Sequence, residues 1–314
     1  MKRFEEVLEA VHGYPVRTVA VAVAQDQTVI QAVKDAADLH IARPVLVGDR
    51  PEIEGLASKA GLELAEGDVV HEPDEVRAAN RAVGLVLEGR ADILMKGHLH
   101  TDDFLRALLD REHGLRVPGV IMSHVYVVEV RELDKFVFIT DSAMNIAPDL
   151  ERKAEILLNA VHLANVFGLD EPRVACLAAV ELLNPAMQAT VDATCLAKMG
   201  DRRQFSVRSI VDGPFALDNA ISELAARHKR ISGPVAGRAD ILLCPDIEAG
   251  NILAKSLVYF AHCRIAGTLV GARAPVVLTS RADTAEAKMF SIATAVYLCN
   301  VERRLRLKIG KVHY

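Results

Sequence analysis

Tryptophan is absent from this sequence, and aromatic residues make up only 4% of it. Proteins that bind single-stranded nucleic acid stack the bases on aromatic side chains, so this composition argues against that role. The formal net charge of −5 at pH 7 argues the same way, because nucleic-acid-binding proteins carry strongly basic surfaces. We therefore expect no nucleic-acid partner.

The sequence also lacks paired cysteines and long apolar runs. Its five cysteines are widely spaced and form no C-x-x-C motif, which is typical of reduced thiols rather than of disulfides or a zinc site. No apolar run reaches the roughly 18 residues that a membrane-spanning helix needs. The charged segment Met1–Glu6 does not look like a signal peptide. We expect a cytoplasmic protein that has no membrane partner.

Apolar runs rich in valine and isoleucine alternate with segments of helical periodicity along the 314 residues. Arg17–Ala24 predicts a buried strand, Asp26 is placed to cap the helix that follows, and Leu150–Phe167 predicts a long helix. Val117–Ser123 and Ser206–Val211 are among the other predicted strands. This alternation predicts an α/β protein with a buried parallel sheet, and the length suggests about two domains.

Ligands of open α/β sheets bind beside the carboxyl ends of the strands, so the polar loops at those ends are candidate sites. Ser280 and Arg281 lie in such a loop, just before a predicted helix, where an arginine and free N–H groups can hold an anion. Capping of the helix by Ser280 or Asp283, together with Glu286, is the other interpretation. The residues alone leave both open.

Two further loops carry clusters of polar residues. Asp246, Gly250 and Asn251 follow one predicted strand, and Asp141 and Asn145 follow another. Aspartate and asparagine side chains in such loops either contact a ligand or stabilise the turn that contains them. Both interpretations stay open here as well.

Lys96 follows a third predicted strand, where it is either a point charge for phosphate or a solvated lysine. His98 and His100 come next, but no third residue with metal-ligand spacing accompanies them, so we expect no metal. A dinucleotide-binding glycine loop, a P-loop and a nucleophile elbow are missing too. The residues therefore indicate an α/β enzyme that handles an anionic small molecule.

As an ordered set, five loop motifs resemble those of the phosphate acetyl/butyryltransferase family, the phosphotransacylases. The resemblance covers nearly the whole chain, and its motifs are Leu94–Thr101, Ile139–Asp149, Asp212–Ala220, Pro245–Lys255 and Val276–Lys288. It implies two three-layer α/β domains around a cleft, as in isocitrate and isopropylmalate dehydrogenases, and a homodimer. The expected domains are residues 1–142 plus 281–314, and an inserted dimerisation domain at 143–280.

The resemblance implies a reversible reaction in which a short acyl group, acetyl to butyryl, moves between coenzyme A and inorganic phosphate. Coenzyme A is then a substrate, its thiolate attacks the acyl phosphate, and neither a metal nor a permanently bound cofactor takes part. Ser280 is assigned to hydrogen bonding in the transition state and Arg281 to the phosphate. Arg106 matches a family arginine and is expected to contact substrate.

The remaining loop residues, Lys96, Asp141, Asn145, Asp246, Gly250 and Asn251, are expected to line the substrate and coenzyme A site. One position departs from the family pattern. The acetyl-specific branch carries an aspartate, the proposed base for the thiol, where this chain has Ala287. Asp283 and Glu286 are the nearest carboxylates and are candidate catalytic residues with Ser280 and Arg281, and the local sequence favours the butyryl-type branch.

Two other hypotheses remain at this point. One is a metal- and NAD-dependent dehydrogenase with the same fold, of the 4-phosphohydroxythreonine type. The other is a non-catalytic protein that binds acyl-CoA, which the alanine at position 287 allows.

Overall fold

The structure, a computed structural model, describes residues 1–305 and 309–313. In chain order its strands are β1 (Arg17–Ala22), β2 (Ala42–Gly48), β3 (Val69–His71), β4 (Ile93–Lys96), β5 (Ser123–Val130), β6 (Lys135–Thr140), β7 (Arg173–Leu177), β8 (Ile210–Phe215), β9 (Ile241–Leu243), β10 (Arg264–Val270) and β11 (Val276–Val277).

The helices alternate with these strands. They are α1 (Phe4–His12), α2 (Gln27–Asp38), α3 (Arg50–Ala60), α4 (Glu75–Leu87), α5 (Thr101–Leu108), α6 (Leu150–Val166), α7 (Gln188–Asp201), α8 (Leu217–Ile221), α9 (Glu223–His228), α10 (Ile247–Tyr259) and α11 (Ala285–Leu305). The predicted α/β class is confirmed. Among the described residues, no helix combines the length and the apolar character that crossing a membrane requires.

The backbone clusters into two compact units. Among the described residues, the split unit contains residues 3–120 and 265–305, and the central unit contains residues 121–264 with 1–2 and 309–313. In the split unit the strand order is β3-β2-β1-β4-β11-β10, and all of these pairs are parallel except β10 with β11. The buried run Val19–Ala22 of β1 lies at the middle of this sheet, which explains its apolar sequence.

In the central unit the strand order is β5-β6-β9-β7-β8. β5 and β6 are antiparallel, whereas β6 with β9, β9 with β7 and β7 with β8 are parallel. Helix α6 begins after Asp149, whose carboxylate accepts the Arg152 N–H at 2.9 Å. It packs a largely apolar face against this sheet, and it ends within one residue of its predicted end.

The predicted parallel sheet is confirmed for most strand pairs, but each unit also contains an antiparallel pair, β10 with β11 and β5 with β6. The predicted strand Val117–Ser123 was also wrong, since Pro118 and Gly119 form a turn there and β5 begins only at Ser123. The strand predicted at Ser206–Val211 lies further along the chain, as β8. β10, an apolar strand that follows α10 directly, had no sequence prediction.

The compact units do not end where the predicted domains end. β6 lies in the central unit because it pairs with β9, and β11 lies in the split unit because it pairs with β4. Residues 309–313 accompany the central unit, where Val312 forms a bridge with Phe205. Residues 306–308 and 314 of the predicted first domain lie outside the described residues. That the predicted domains fold as separate bodies stays a prediction.

Helix α10 packs closely on the loop that follows β6. A Cβ atom on Gly250 would lie 2.1 Å from the carbonyl oxygen of Asp141, a distance that real contacts do not reach. The next residue, Asn251, donates a side-chain hydrogen bond to the Ser142 carbonyl at 3.1 Å. Glycine at position 250 is therefore required for this close approach of helix and loop.

We expect Gly250→Ala to lower the free energy of unfolding by about 1–3 kcal/mol, because the added methyl group must push α10 away from the loop. Urea unfolding followed by circular dichroism measures the change. Gly55→Ala is the matched control, since Gly55 lies exposed in α3 and a Cβ there has no neighbour within 4 Å. That control should be neutral or slightly stabilising. An equal loss in both variants would contradict the close-approach argument.

Candidate active site

Three cationic residues of the split unit form what we call the cationic centre: Lys96, Arg281 and Lys288. Lys96 is the last residue of β4, Arg281 follows β11, and Lys288 lies in the first turn of α11. β4 and β11 are adjacent and parallel, with Val277 opposite Met95, so both chains leave the sheet at the same edge. The topology therefore brings residues from two distant parts of the chain to one edge.

Lys96 is buried, with 1% of its surface exposed, and its ammonium donates to the Gly97 carbonyl at 3.3 Å. Burial and the positive charges of Arg281 and Lys288 lower the pKa of Lys96 to about 8. Within residues 1–305 and 309–313, no carboxylate lies within ion-pair distance of this ammonium. The interpretation of Lys96 as a solvated surface lysine was wrong.

Lys288 is likewise buried, and its ammonium donates to the carbonyl oxygens of Asp283 at 2.5 Å and Arg281 at 3.5 Å. Burial lowers its pKa. The loop motifs of the sequence did not mark this residue as functional. One signal was present: a lysine in the first turn of a helix faces the positive end of the helix dipole, where cations are disfavoured.

Gly97 lets the chain after β4 run against the chain after β1. A Cβ atom on Gly97 would lie 2.2 Å from the Val23 carbonyl oxygen, and the amides of Gly97 and His98 donate to the Ala22 and Val23 carbonyls. This contact places Lys96 beside the start of α2. Any larger side chain at position 97 would displace the end of β4.

Asp26 is the acidic residue at this start. Its carboxylate accepts from the Val29 N–H at 2.9 Å and the Thr28 hydroxyl at 2.6 Å, which confirms it as the cap of α2. Its second oxygen lies 3.2 Å from Nδ1 of His98. Burial opposes ionisation, but these hydrogen bonds and the charge of Lys288 outweigh it and lower the pKa of Asp26.

Ser280 and Asp283 form a closed turn in front of α11. The Asp283 carboxylate accepts the Ser280 N–H at 2.7 Å, and the Asp283 N–H donates back to the Ser280 carbonyl at 3.1 Å. The cap of α11 is Thr284, whose hydroxyl accepts the Ala287 N–H at 3.1 Å. Capping by Ser280 or Asp283 was therefore wrong, because the turn puts both residues ahead of the helix start.

Arg281 is exposed at the tip of this turn, and the structure records no ion pair of its guanidinium with any described residue. Ser280 is half-buried, and its hydroxyl oxygen accepts the Ala282 N–H at 3.3 Å. Glu286 lies exposed in the first turn of α11. The turn thus presents a hydroxyl and a guanidinium beside two buried ammonium groups.

Arg106 is placed differently from the expectation. It lies exposed on α5 and forms an ion pair with Asp103 at 2.7 Å. Among the described residues, no recorded hydrogen bond or ion pair links it to the cationic centre. Its contact with substrate stays a prediction.

The polar residues predicted in the central unit hold their own loops together. The Asp141 carboxylate accepts from four backbone N–H groups and from the side-chain amide of Asn145, which also donates to the Met122 carbonyl at 2.9 Å. Asp246 caps α10 by accepting the Ala249 N–H at 2.8 Å. These carboxylates already have hydrogen-bond donors, so the turn-stabilising interpretation holds for them. Their contact with coenzyme A stays a prediction.

A cavity of about 530 Å³ lies next to Asp246 in the central unit. It is lined by the N-terminal turns of α6 and α7 and by Cys195. At its wall Lys153 and Asp192 form a buried ion pair at 2.6 Å. Because each charge is compensated by the other, this pair differs from the cationic centre, where the ammonium groups lack a carboxylate partner.

Among the described residues, no cluster of three or more histidine, cysteine, aspartate or glutamate side chains has a geometry suited to a metal ion. His98 contacts Asp26. The pair of His98 and His100 therefore has no recorded third ligand within the part of the chain that the structure describes.

Comparison with known proteins gives a consistent result. Residues 70–296 match the family described as "Phosphate acetyl/butaryl transferase". The chain is 49% identical to the phosphate butyryltransferase of Clostridium beijerinckii, over 94% of this chain and 97% of that protein. It is 41% identical to the phosphate acetyltransferase of Rhizobium meliloti, over 93% of this chain and 92% of that protein.

A solved structure supports the same grouping. The fold is similar to that of a branched-chain phosphotransacylase from Enterococcus faecalis V583, with a TM-score of 0.78 and 38% identity over 90% of this chain and 99% of that one. The resemblance seen in the five loop motifs is thereby confirmed, and the chain belongs to the phosphate acetyl/butaryl transferase family.

Proposed function

We propose that this protein is an acyltransferase that moves a short acyl group reversibly between coenzyme A and inorganic phosphate. The observation that carries the proposal is the cationic centre, in which two buried ammonium groups lie beside the Ser280–Asp283 turn and have no carboxylate partner in the part of the chain that the structure describes. A phosphate dianion supplies the negative charge that this arrangement lacks. The names of the related proteins support the same reaction.

The cationic centre binds the phosphate group in this proposal. Lys288 acts as a fixed point charge, Lys96 adds its charge when it is protonated, and the exposed fork of Arg281 donates charge-assisted hydrogen bonds to phosphate oxygens. Holding the phosphate beside the acyl carbon turns an encounter of two substrates into a reaction within one complex. The three cations also stabilise the charge that develops on the leaving phosphate.

The acyl group needs a different set of contacts. The thiolate of coenzyme A attacks the acyl carbonyl, and the resulting tetrahedral intermediate carries a negative oxygen that needs a hydrogen-bond donor. Ser280 supplies that donor, because its half-buried hydroxyl lies next to Arg281 on the turn before α11. The Asp283 carboxylate holds the turn closed through the Ser280 N–H.

Coenzyme A enters as a substrate, and no cofactor is permanently bound in this proposal. Arg106, Asp141, Asn145, Asp246, Gly250 and Asn251 remain the proposed contacts for it and for the acyl group. Butyryl is the proposed acyl group, because Ala287 lacks the carboxylate of the acetyl-type branch and the butyryltransferase of Clostridium beijerinckii is 49% identical. Acetyl transfer is the alternative.

The proposal includes a homodimer in the cytoplasm. All five cysteines are free thiols, which suits a reducing compartment. The arrangement of two three-layer α/β domains around a cleft, as in isocitrate and isopropylmalate dehydrogenases, is proposed from the resemblance of the loop motifs.

The direct test measures thiol released from acetyl-, propionyl- and butyryl-CoA in the presence of phosphate. We expect turnover with all three and the highest kcat/KM with butyryl-CoA. Binding of coenzyme A without turnover would instead favour a non-catalytic acyl-CoA-binding protein. Activity that depends on a divalent metal and NAD would favour a dehydrogenase.

Replacing Ser280 by alanine removes the proposed donor to the oxyanion. We expect kcat to fall by about 10²–10³-fold with little change in the KM for either substrate, as is usual when one oxyanion donor is lost. Steady-state kinetics on the best acyl-CoA measures this. Ser58→Ala is the control, because Ser58 lies exposed in α3. An S280A variant with the wild-type kcat would remove Ser280 from the mechanism.

Arg281→Gln removes the guanidinium while keeping a side chain that forms hydrogen bonds. We expect the KM for phosphate to rise about tenfold or more, since a charge-assisted hydrogen bond contributes about 1.5–3 kcal/mol. The KM for acyl-CoA should change much less. Arg90→Gln, at an exposed position outside the site, is the control. A selective rise in the KM for acyl-CoA would show that Arg281 binds coenzyme A instead.

A further inference from the structure

The proposed reaction needs a residue that moves a proton from the thiol to the leaving phosphate, and Ser280, Arg281 and Lys288 do not supply one. When coenzyme A attacks an acyl phosphate, the thiol must lose its proton before the S–C bond forms. When the C–O bond breaks, the leaving phosphate oxygen keeps the electron pair and needs a proton to become hydrogen phosphate. One proton therefore passes from sulfur to oxygen in each turnover.

We propose that Lys96 is the catalytic residue that carries this proton between the sulfur of coenzyme A and the phosphate oxygen. This inference rests on the proposed acyl transfer and names the acid–base residue within it. The position that holds an aspartate in the acetyl-specific branch is Ala287 here, so the proton carrier must lie elsewhere.

The geometry singles out Lys96. It is 1% exposed, and of the three N–H donors of its ammonium the structure engages one, with the Gly97 carbonyl at 3.3 Å. No described residue supplies a carboxylate within ion-pair distance. Its place at the end of β4, next to the loop after β11, puts it beside the Ser280–Asp283 turn that holds the reacting groups.

The neighbouring groups are less suited to the task. Arg281 does not release a proton at any pH that proteins tolerate. Lys288 is fixed by hydrogen bonds to two backbone carbonyls, and the Asp283 carboxylate is occupied by the Ser280 N–H. Glu286 is exposed to water. Lys96 is thus the titratable group of the centre that is both buried and least engaged.

The charged groups that face Lys96 come from three elements. Arg281 and Asp283 lie on the turn before α11, Lys288 lies in α11, and Asp26 caps α2. Burial and the two cations outweigh the two carboxylates and lower the pKa of Lys96 to about 8. The ordinary pKa of a thiol is about 8.5, so the amine can accept a thiol proton without a large energetic penalty.

The proton transfers balance in both directions. With acyl phosphate and coenzyme A bound, the neutral Lys96 amine takes the thiol proton, and the thiolate forms the S–C bond. The intermediate collapses, the C–O bond breaks, and the phosphate oxygen takes the proton from the Lys96 ammonium. Lys96 ends as a neutral amine, and the products are acyl-CoA and hydrogen phosphate. In the reverse direction, the amine takes its proton from phosphate and returns it to the departing sulfur.

The sharpest variant is Lys96→Arg, which keeps the positive charge and removes the exchangeable proton. In the direction from acyl phosphate to acyl-CoA, we expect kcat to fall about 10²–10⁴-fold, the usual contribution of a general acid–base residue. The KM for acyl phosphate should change by less than tenfold. For the wild type, kcat/KM for acyl phosphate should rise with pH through an apparent pKa near 8. In K96R this rise should be absent.

Two further variants separate loss of the proton carrier from misfolding and from the larger size of the arginine side chain. Lys96→Ala should recover activity when small primary amines are added, with a rate that depends on the pKa of the amine. Lys59→Arg, at an exposed position in α3, is the matched control and should behave as the wild type. Circular dichroism confirms that each variant is folded.

A binding measurement gives a readout besides turnover. Sulfate is a phosphate analogue that does not titrate near pH 8, and its charge should raise the pKa of Lys96. Calorimetry in buffers of different ionisation enthalpy should therefore show proton uptake when sulfate binds to the wild type at pH 8 to 9, and none with K96R. The pH range follows from the pKa of about 8.

The outcomes separate the two proposals. A wild-type protein that transfers no short acyl group overturns the proposed function itself. If the wild type transfers acyl groups, the role of Lys96 is tested by the K96R variant. A K96R variant that keeps more than a tenth of the wild-type kcat and the wild-type pH profile overturns the role of Lys96 but not the proposed function. Proton uptake that is equal in wild type and K96R also overturns it.

Discussion

Two buried ammonium groups, neither of them paired with a carboxylate of any described residue, are the constraint on which the candidate site of this protein depends. Removing an ammonium from water is costly, and backbone carbonyl oxygens compensate only part of that cost. For Lys96 and Lys288, the partial compensation comes from Gly97, Arg281 and Asp283. The split unit therefore holds a local positive charge, and in the proposed function a bound phosphate dianion compensates it. The modest negative charge of the whole chain does not attract such a ligand, so this local arrangement must do so.

Acidic and basic residues have separate tasks in this structure. Asp26, Asp141, Asp246 and Asp283 each accept backbone N–H groups at the start of a helix or within a loop. These carboxylates fix the shape of the loops at the strand ends through the hydrogen bonds that they accept. In the proposed function, the cations of the cationic centre bind the phosphate. A loop motif that contains an aspartate and a basic residue is therefore consistent with a turn and with a binding loop, because the aspartate stabilises the turn while the basic residue is available for a ligand.

Much of the fold could be predicted from the sequence, because buried parallel strands and amphipathic helices leave a local periodic signal. Asp26 as a helix cap and the extent of α6 are examples. The antiparallel strand β10 and the start of β5 at Ser123 were missed although each has a local cause: β10 pairs with the next strand, β11, and Pro118 and Gly119 form a turn ahead of β5. The site was predicted in part. Lys96 and Arg281 follow strand ends, whereas the contribution of Lys288 requires knowing that α11 packs its first turn beneath the Ser280–Asp283 turn.

The pairing of β4 with β11 has a consequence for the order in which the protein is built. Residues 121–264 form most of the central unit as one continuous stretch, so all five of its strands have been synthesised before the sheet of the split unit is complete. The split unit must wait, because its sheet is incomplete until Val276 and Val277 join Leu94 and Met95. Any nascent or truncated chain that stops before Lys288 therefore lacks the cationic centre. In the proposed function, the phosphate site therefore forms only after the segment that contains β11 and Lys288 has been synthesised.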